Sequence, residues 1–224
     1  WKLKRIEIYS DNLQNEKILK FENNKDQLFS IVKNFQLYEL INDSLSFNKF
    51  YKKIKFEKKL INFDEYDLII NTDYFSSLTR KFFNKKIIKK YNSYAYTTII
   101  NHENISNDVA IQIFTKRGPL AFLPISKNKT SVVYSIHNSK NNVKININQL
   151  IKAYNFKYQI KNISKIETFD LKSFNLRTYY HNNILAFGDL LHRIHPLAGQ
   201  GFNMTIRDIN ILITIIKKKI NLGL

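Results

Sequence analysis

The segment 184-ILAFGDLLHRIHPLAGQGFNMTIRD-208 joins a predicted strand to a predicted helix through a loop that contains proline and glycine. Its apolar start, residues 184–187, predicts a short buried strand, and Gly188-Asp189 places a carboxylate at the carboxyl end of that strand. Residues 200–216 predict a helix, whose first backbone N–H groups lack internal partners and attract electron-rich groups. We therefore expect the carboxylate and the helix start to line one cleft.

The same segment closely resembles the GD motif of the single-component flavin aromatic hydroxylases, the para-hydroxybenzoate hydroxylase class. HPLAGQGFN followed by Arg207-Asp208 is most similar to the branch that hydroxylates ubiquinone precursors. In that class the aspartate contacts the ribityl chain of FAD, the loop lies along the isoalloxazine ring, and the helix dipole stabilises negative charge at the N1/O2 edge. The resemblance implies these FAD-binding residues: Gly188, Asp189, Pro196, Gly199, Gln200, Gly201 and Asn203.

Two other interpretations of this segment remain open. Gly188-Asp189 is also compatible with an ordinary turn between a strand and a loop. Asp189, His192 and His195 are spaced by three residues, which would suit a metal site on one helical face. Pro196 biases His195 toward extended backbone, which opposes a shared helical face and favours a loop histidine without metal.

A second match to the same class covers residues 66–80. The apolar residues 66–71 predict a buried strand, and the turn after it resembles the DG motif, with Asp73, Ser77 and Arg80 matching. The resemblance implies that Asp73 and Arg80 serve the dinucleotide phosphates and the pyridine nucleotide. Tyr74 departs from the motif, which has glycine there. Without the resemblance, Asp73 is expected to be a helix N-cap, worth about 1 kcal/mol.

Four strands are predicted between the two motifs, at residues 94–101, 109–115, 120–123 and 130–136, and their short turns indicate an antiparallel sheet. The segment FTKRGPLAFLP at residues 114–124 resembles the substrate-domain sheet of the same class. The resemblance implies that Phe114, Leu120 and Phe122 contact the aromatic quinone precursor. Alternating apolar residues are more often core, and we expect a core position for at least half of them.

The remaining elements are weaker predictions. Strands are expected at residues 2–10, 17–21 and 163–178, and a weak helix at residues 143–156. A helix over residues 35–47, with Asn34 as its cap, follows Ile31-Val32-Lys33-Asn34, which resembles the family's IVEN segment with lysine in place of glutamate. The apolar residues of the final helix predict that it is largely buried.

The charge of the chain restricts its partners. Lys and Arg number 36 against 18 Asp and Glu, a formal charge of +18, which favours nucleic acid or an anionic membrane surface. The cations are dispersed and no nucleic-acid motif accompanies them, so nucleic acid is not the expected partner. The absence of cysteine excludes disulfides and thiolate chemistry and is compatible with a cytoplasmic location. No apolar run of 18 residues occurs, so membrane contact is expected to be peripheral, at the inner face.

The glycines are too few and too scattered for a phosphate-binding loop. Gly118, Gly188, Gly199, Gly201 and Gly223 form no G-x-G-x-x-G. Because the family carries that fingerprint in an amino-terminal βαβ unit, the resemblance implies a fragment that lacks this unit and the family's last helices.

The sequence therefore predicts an incomplete α+β protein of the para-hydroxybenzoate hydroxylase type. Residues 1–90 would be part of an interleaved FAD-binding domain, residues 91–180 the substrate sheet, and residues 181–224 the FAD-binding strand, loop and helix. The implied activity is hydroxylation of a ubiquinone precursor with FAD, NAD(P)H and O2, alone or within a biosynthetic complex. The alternative is a basic binding or scaffold protein without turnover, which the +18 charge, Tyr74 and the missing glycine loop favour.

Overall fold

The computed structural model describes residues 1–11, 16–23, 27–54, 63–137, 145–193 and 200–223. Two compact units divide the chain: unit 1 comprises Trp1–Ile54 and Asn92–Asp170, and unit 2 comprises Lys55–Tyr91 and Leu171–Leu224. The division at Tyr91/Asn92 lies within one residue of the boundary predicted at residue 90, and the division at Asp170/Leu171 lies ten residues before the one predicted at residue 180. Trp1–Ile54 groups with the antiparallel sheet. Which segments hold FAD stays a prediction.

The described strands and helices follow the predicted order. The strands are β1 (Lys2–Leu3), β2 (Arg5–Ser10), β3 (Lys17–Glu22), β4 (Phe29–Ser30), β5 (Ile69–Asn71), β6 (Lys86–His102), β7 (Val109–Thr115), β8 (Gly118–Pro124), β9 (Lys129–His137), β10 (Ile160–Ile163), β11 (Glu167–Leu176), β12 (Tyr180–His181), β13 (Ile184–Ala186) and β14 (His192–Arg193). The helices are α1 (Asn34–Ser46), α2 (Ser77–Phe82), α3 (Ile147–Tyr154) and α4 (Gln200–Asn221), with 3-10 turns at Phe63–Glu65 and Gly188–Leu190.

Unit 1 is built on the predicted antiparallel sheet. Within it, β6 pairs with β9, β9 with β8 and β8 with β7, all antiparallel. β2 adds to β7 in parallel, and β3 pairs antiparallel with β2. This parallel pairing, which the sequence did not predict, is why the first strands of the chain belong to unit 1.

One face of this sheet carries the core of unit 1. Because side chains alternate along a strand, the register Ile113↔Leu120 and Leu120↔Tyr134 places these side chains on one face. Ile147 and Ile151 of α3 belong to the same buried cluster. The short helix therefore covers part of the sheet, and β-branched and aromatic side chains fill the space between them.

Unit 2 contains a three-stranded sheet in the order β12, β13, β5. β12 and β13 are antiparallel, whereas β13 and β5 are parallel, with Ile184 opposite Ile69 and Ala186 opposite Asn71. A small core supports these strands, made of Leu78, Phe83, Leu176, Ile184, Ala186 and Leu190. The last described strand, β14, pairs with β11.

Two predictions about helices are wrong. Lys33, not Asn34, is the N-cap of α1, because its backbone is extended and Asn34 is already helical; no side chain caps this helix end. Helix α4 is not largely buried, since none of its described residues is buried and Ile211 is 59% exposed. Among the described elements, the one that packs most against α4 is the turn at Gly188–Leu190, which has only three residues. Among the described residues, no helix is long and apolar enough to span a membrane.

Candidate functional site

The two motifs lie side by side at the carboxyl edge of the parallel pair β5 and β13. Ala186 is opposite Asn71, and the N–H of Phe187 donates to the carbonyl oxygen of Asn71 over 3.0 Å. Asp73 follows the end of β5 and Asp189 follows the end of β13. The carboxyl ends of parallel strands are where α/β sheets bind ligands, so this edge is the candidate site.

The turn after β13 needs glycine at its first position. Gly188 is buried and has φ +61, a left-handed conformation that other residues adopt at a cost. A Cβ added there would lie 3.8 Å from Cγ2 of Thr205 in α4. Helix α4 therefore lies close to the turn.

The predicted FAD-binding residues of this turn and helix are mostly accessible. Asp189, Gln200 and Asn203 are exposed and Gly201 is half-buried, while Pro196 and Gly199 lie outside the described residues. The cleft between Asp189 and residues 199–201, and the FAD contacts, therefore stay predictions. Among the described residues, no group of three or more His, Asp or Glu could hold a metal ion, and His195 lies outside them.

The DG-like turn is capped by a different residue from the one predicted. Ser76, not Asp73, is the N-cap of α2: its backbone is extended and its Oγ accepts a hydrogen bond from Thr79 N over 3.1 Å. Asp73 instead accepts from the N–H of Phe75 through Oδ1 over 2.8 Å, which closes a tight turn between β5 and α2. This turn fixes the backbone from which Tyr74 and Phe75 project.

A buried polar network under this turn was missed by sequence reasoning. Asn71 and Thr79 are both buried, and Nδ2 of Asn71 donates to Oγ1 of Thr79 over 2.8 Å. Thr79 in turn donates to the carbonyl oxygen of Asp73 over 2.6 Å, and Oδ1 of Asn71 accepts from Asp73 N over 3.3 Å. The available signal was the position of Asn71, a polar residue that ends an apolar strand.

Tyr74 fits its backbone without the freedom of glycine. In the described ranges, the non-glycine residues with positive φ are Asn92 and Asn182, so Tyr74 does not require a left-handed conformation. Nζ of Lys86 lies 3.6 Å from the centroid of the Tyr74 ring. Arg80 is exposed near the same ring, and the two cations help to line a cavity of about 500 Å³.

The three predicted substrate contacts of the sheet separate into two groups. Leu120 and Phe122 are 0% and 1% exposed and lie in the core of unit 1, which supports the core interpretation for both. Phe114 is 50% exposed and points to the opposite face. Leu19 and Phe21 lie on the same opposite face, because they pair with Ile8 and Ile6 of β2, and both side chains are exposed. Phe114 is therefore the predicted substrate residue whose ring is accessible.

Comparison with known families gives one match that covers more than half of the chain. The model of the FAD binding domain matches residues 93–221. That range includes the sheet of unit 1 from β6 onward and the GD turn with α4.

Curated relatives are similar over part of their length. 3-Demethoxyubiquinol 3-hydroxylase from Escherichia coli K12 is 32% identical over 120 residues, which cover 51% of this chain and 31% of that protein. The mitochondrial ubiquinone biosynthesis monooxygenase COQ6 from Caenorhabditis elegans is 30% identical over 205 residues, 69% of this chain and 45% of that protein. The chain thus spans less than half of the length of these relatives.

Solved structures share the fold. PqsL from Pseudomonas aeruginosa has a TM-score of 0.69 at 14% identity, covering 99% of this chain and 70% of that one. 2-Methyl-3-hydroxypyridine-5-carboxylic acid oxygenase has a TM-score of 0.60 at 13% identity, covering 89% of this chain and 60% of that one. The predicted fold class, α and β with an antiparallel sheet, is confirmed.

Proposed function

The chain belongs to the family of FAD-binding domains, and from this premise we propose that it is part of an FAD-dependent aromatic monooxygenase that hydroxylates a ubiquinone precursor. One observation carries the proposal: the parallel pairing of β5 and β13 brings Asp73 and Asp189 to the same sheet edge. Relatives named 3-demethoxyubiquinol 3-hydroxylase and ubiquinone biosynthesis monooxygenase COQ6 support the choice of substrate. A basic scaffold without turnover would not need two carboxylates at one strand edge.

The residues at this edge fit FAD. The exposed carboxylate of Asp189 can accept hydrogen bonds from the hydroxyls of the ribityl chain, and Gly188 gives the turn before it the left-handed conformation that the turn requires. The amino end of this 22-residue helix favours negative charge on a neighbouring group. Bound FAD would supply the redox chemistry, accepting a hydride from NAD(P)H and activating O2.

The protein's part in the reaction is binding and exclusion of water. One oxygen atom of O2 enters the ring, so that a C–H group becomes C–OH, and the other oxygen atom is released as water. NAD(P)H supplies two electrons and one proton for this reaction, and the solvent supplies the second proton. Phe114 and the exposed apolar side chains on its face of the sheet are the proposed contacts of the aromatic ring. No side chain needs to act as a nucleophile.

Titration with FAD tests the role of Asp189. Asp189→Ala should weaken FAD binding by about 1.5–3 kcal/mol, roughly ten- to a hundredfold, because a charge-assisted hydrogen bond is lost. Asp67→Ala, which removes another exposed carboxylate of unit 2, is the matched control and should leave FAD binding unchanged. Equal dissociation constants for the two folded variants would make Asp189 a turn residue and remove this support for the flavin site.

For location, we propose the cytoplasm, with peripheral contact to an anionic membrane surface or to a biosynthetic complex. The +18 charge supports contact with an anionic membrane surface. The proposed substrate class also supports it, since quinone precursors include lipophilic molecules. Co-sedimentation with anionic but not neutral vesicles is the expected result. Equal recovery with both vesicle types would contradict it.

A further inference from the structure

A cavity of about 550 Å³ lies beside β2 and the start of β7 in unit 1. The parallel register sets Arg5 opposite Val109 and Glu7 opposite Ile111, and all four side chains line the cavity. Ile111 belongs to the buried cluster that includes α3, whereas Phe114 points to the other face of the sheet. The cavity therefore lies on the face opposite the proposed contacts of the aromatic ring.

The other walls of this cavity come from two connecting segments. Ser106 and Asp108 precede β7, and Phe156 and Lys157 follow α3. The ring of Phe156 packs edge-on against Tyr9 of β2, with 5.0 Å between the ring centroids. Because Ser106 and Phe156 are both exposed, the cavity can be reached from solvent.

Lys157 places a primary amine in this cavity without a carboxylate in ion-pair contact. The side chain is half-buried, and its Nζ donates one long hydrogen bond, of 3.4 Å, to the carbonyl oxygen of Val109. Among the residues that the structure describes, no ion pair includes Lys157. The carboxylate of Glu7 accepts from Lys17 over 2.8 Å and from Tyr9 over 2.7 Å instead. The ammonium has therefore lost water without gaining a strong acceptor in return.

The surroundings of Lys157 favour its uncharged form. Burial lowers the pKa of the Lys157 amine from its usual value of 10.5, and the positive charge of Arg5 acts in the same direction. The carboxylates of Asp108 and Glu7 oppose this shift but do not outweigh it. A larger fraction of this amine is therefore uncharged near neutral pH than of an ordinary lysine, and a desolvated amine beside another cation is an activated nucleophile.

From this geometry we propose that Lys157 is a covalent modification site, acylated on Nζ by a short-chain acyl thioester. The amine attacks the thioester carbonyl, a C–N bond forms and the C–S bond breaks, and the thiol leaves with the proton that the amine loses. The product is an uncharged amide, so acylation removes a charge whose burial is costly. Val109, Ile111 and Phe156 offer apolar surface to the acyl chain. The inference goes beyond the proposed function and is independent of it.

Acylation of the wild-type chain tests the inference without any substitution. The protein is incubated with the S-butyryl thioester of N-acetylcysteamine near neutral pH, and the labelling rate of each lysine is measured by peptide mass spectrometry. Lys157 should be labelled about threefold or more faster than Lys152, an exposed lysine of α3. The difference should shrink as the pH is raised above 10.5, because ordinary lysines are then uncharged as well. Labelling of Lys157 at the rate of Lys152 or slower would overturn the inference.

Two charge variants should change the labelling rate in opposite directions. Asp108→Asn removes a carboxylate that favours the ammonium and should speed labelling of Lys157. Arg5→Gln removes a positive charge that disfavours the ammonium and should slow it. Labelling of Lys152 should be unchanged in both variants, and circular dichroism checks that each one folds. Unchanged or reversed rates at Lys157 in the folded variants would also overturn the inference.

A third variant tests the cavity itself. Ser106→Trp fills the cavity from an exposed position in a loop, so loss of folding is not expected. The larger side chain should slow labelling of Lys157 and leave labelling of Lys152 unchanged. If Lys157 reacted as fast in this variant as in wild type, the thioester would not reach the amine through the cavity, and the inference would fail.

Discussion

The sheet of unit 1 and the parallel strand pair of unit 2 use their side chains differently. In unit 1 burial alternates along β8 and along parts of β7 and β9, and one face of the sheet is filled by fully buried residues such as Leu120 and Tyr134. In the three-stranded sheet of unit 2 each strand has three residues or fewer, and exposed carboxylates follow the ends of β5 and β13. The difference indicates that unit 1 holds most of the apolar stabilisation, whereas unit 2 exposes the groups that can bind ligands. Substitutions on the buried face of the unit 1 sheet should therefore cost the most stability, whereas substitutions of the exposed carboxylates of unit 2 should mainly affect ligand binding.

The largest expected effect comes from the core of unit 1. Phe122→Ala should lower the free energy of unfolding by about 3–5 kcal/mol, because a fully buried ring is replaced by a cavity. Urea unfolding followed by circular dichroism measures this change. Phe114→Ala, on the other face of the same sheet, is the matched control and should cost about 1 kcal/mol or less. Similar losses for both would show that the two faces are equally packed and would break the comparison.

An intermediate effect is expected from the polar network of unit 2. Thr79→Val keeps the volume of the side chain but removes the acceptor of Asn71 and the donor to Asp73, and should cost about 1–3 kcal/mol. Ser77→Ala, an exposed hydroxyl in the same helix, should be close to neutral. If Thr79→Val were also neutral, the network would not hold the DG-like turn, and the turn would have to be fixed by Ser76 and Asp73 alone.

Much of the local structure could be predicted from the sequence. The alternation of apolar residues predicted the strands of unit 1, and Gly188-Asp189 followed by a helical pattern predicted β13, the turn and α4. Such signals are local, because side-chain periodicity depends on the conformation of a few neighbouring residues. The exposure of Phe114 against the burial of Leu120 and Phe122 also follows from alternation once the register is known.

The arrangement of the site could not be predicted from local signals. β5 and β13 are far apart in the sequence. The residues of neither strand indicate that the two strands pair in parallel or that Ala186 lies opposite Asn71. The cap of α2 was misassigned because Asp73 and Ser76 are both good capping residues, and the choice depends on where the helix begins. The cavity with Arg80 and Lys86 was missed because Lys86 belongs to a strand that was predicted to start later, at residue 94.

The smallest effect tests whether charges add to the stability of unit 1. Glu7 lies on the core-side face of β2, where burial opposes its charged form. Its carboxylate accepts hydrogen bonds from Lys17 over 2.8 Å and from Tyr9 over 2.7 Å. These hydrogen bonds outweigh the effect of burial, so the pKa of the Glu7 carboxyl is lowered from its usual value of 4.5. A carboxyl with a lowered pKa in the folded state stabilises the protein above its unfolded pKa, and this contribution is lost as the pH falls through the folded pKa. Glu7→Gln should therefore cost less than about 1 kcal/mol near pH 7, as partly exposed ion pairs do, and the difference from wild type should shrink as the pH falls below 4.5.

Glu167→Gln supplies the comparison for this last prediction, because Glu167 is an exposed residue of unit 1 whose ion pair with Lys165 spans 3.5 Å. That variant is expected to leave the free energy of unfolding unchanged at either pH, since ion pairs between exposed side chains contribute little. A loss for Glu7→Gln as large as that for Phe122→Ala, or one that grows as the pH falls, would contradict the assignment of stability in unit 1 to apolar burial. A small loss confined to neutral pH would instead mean that the sheet of unit 1 is held by its buried face, with the charges of β2 as a minor addition.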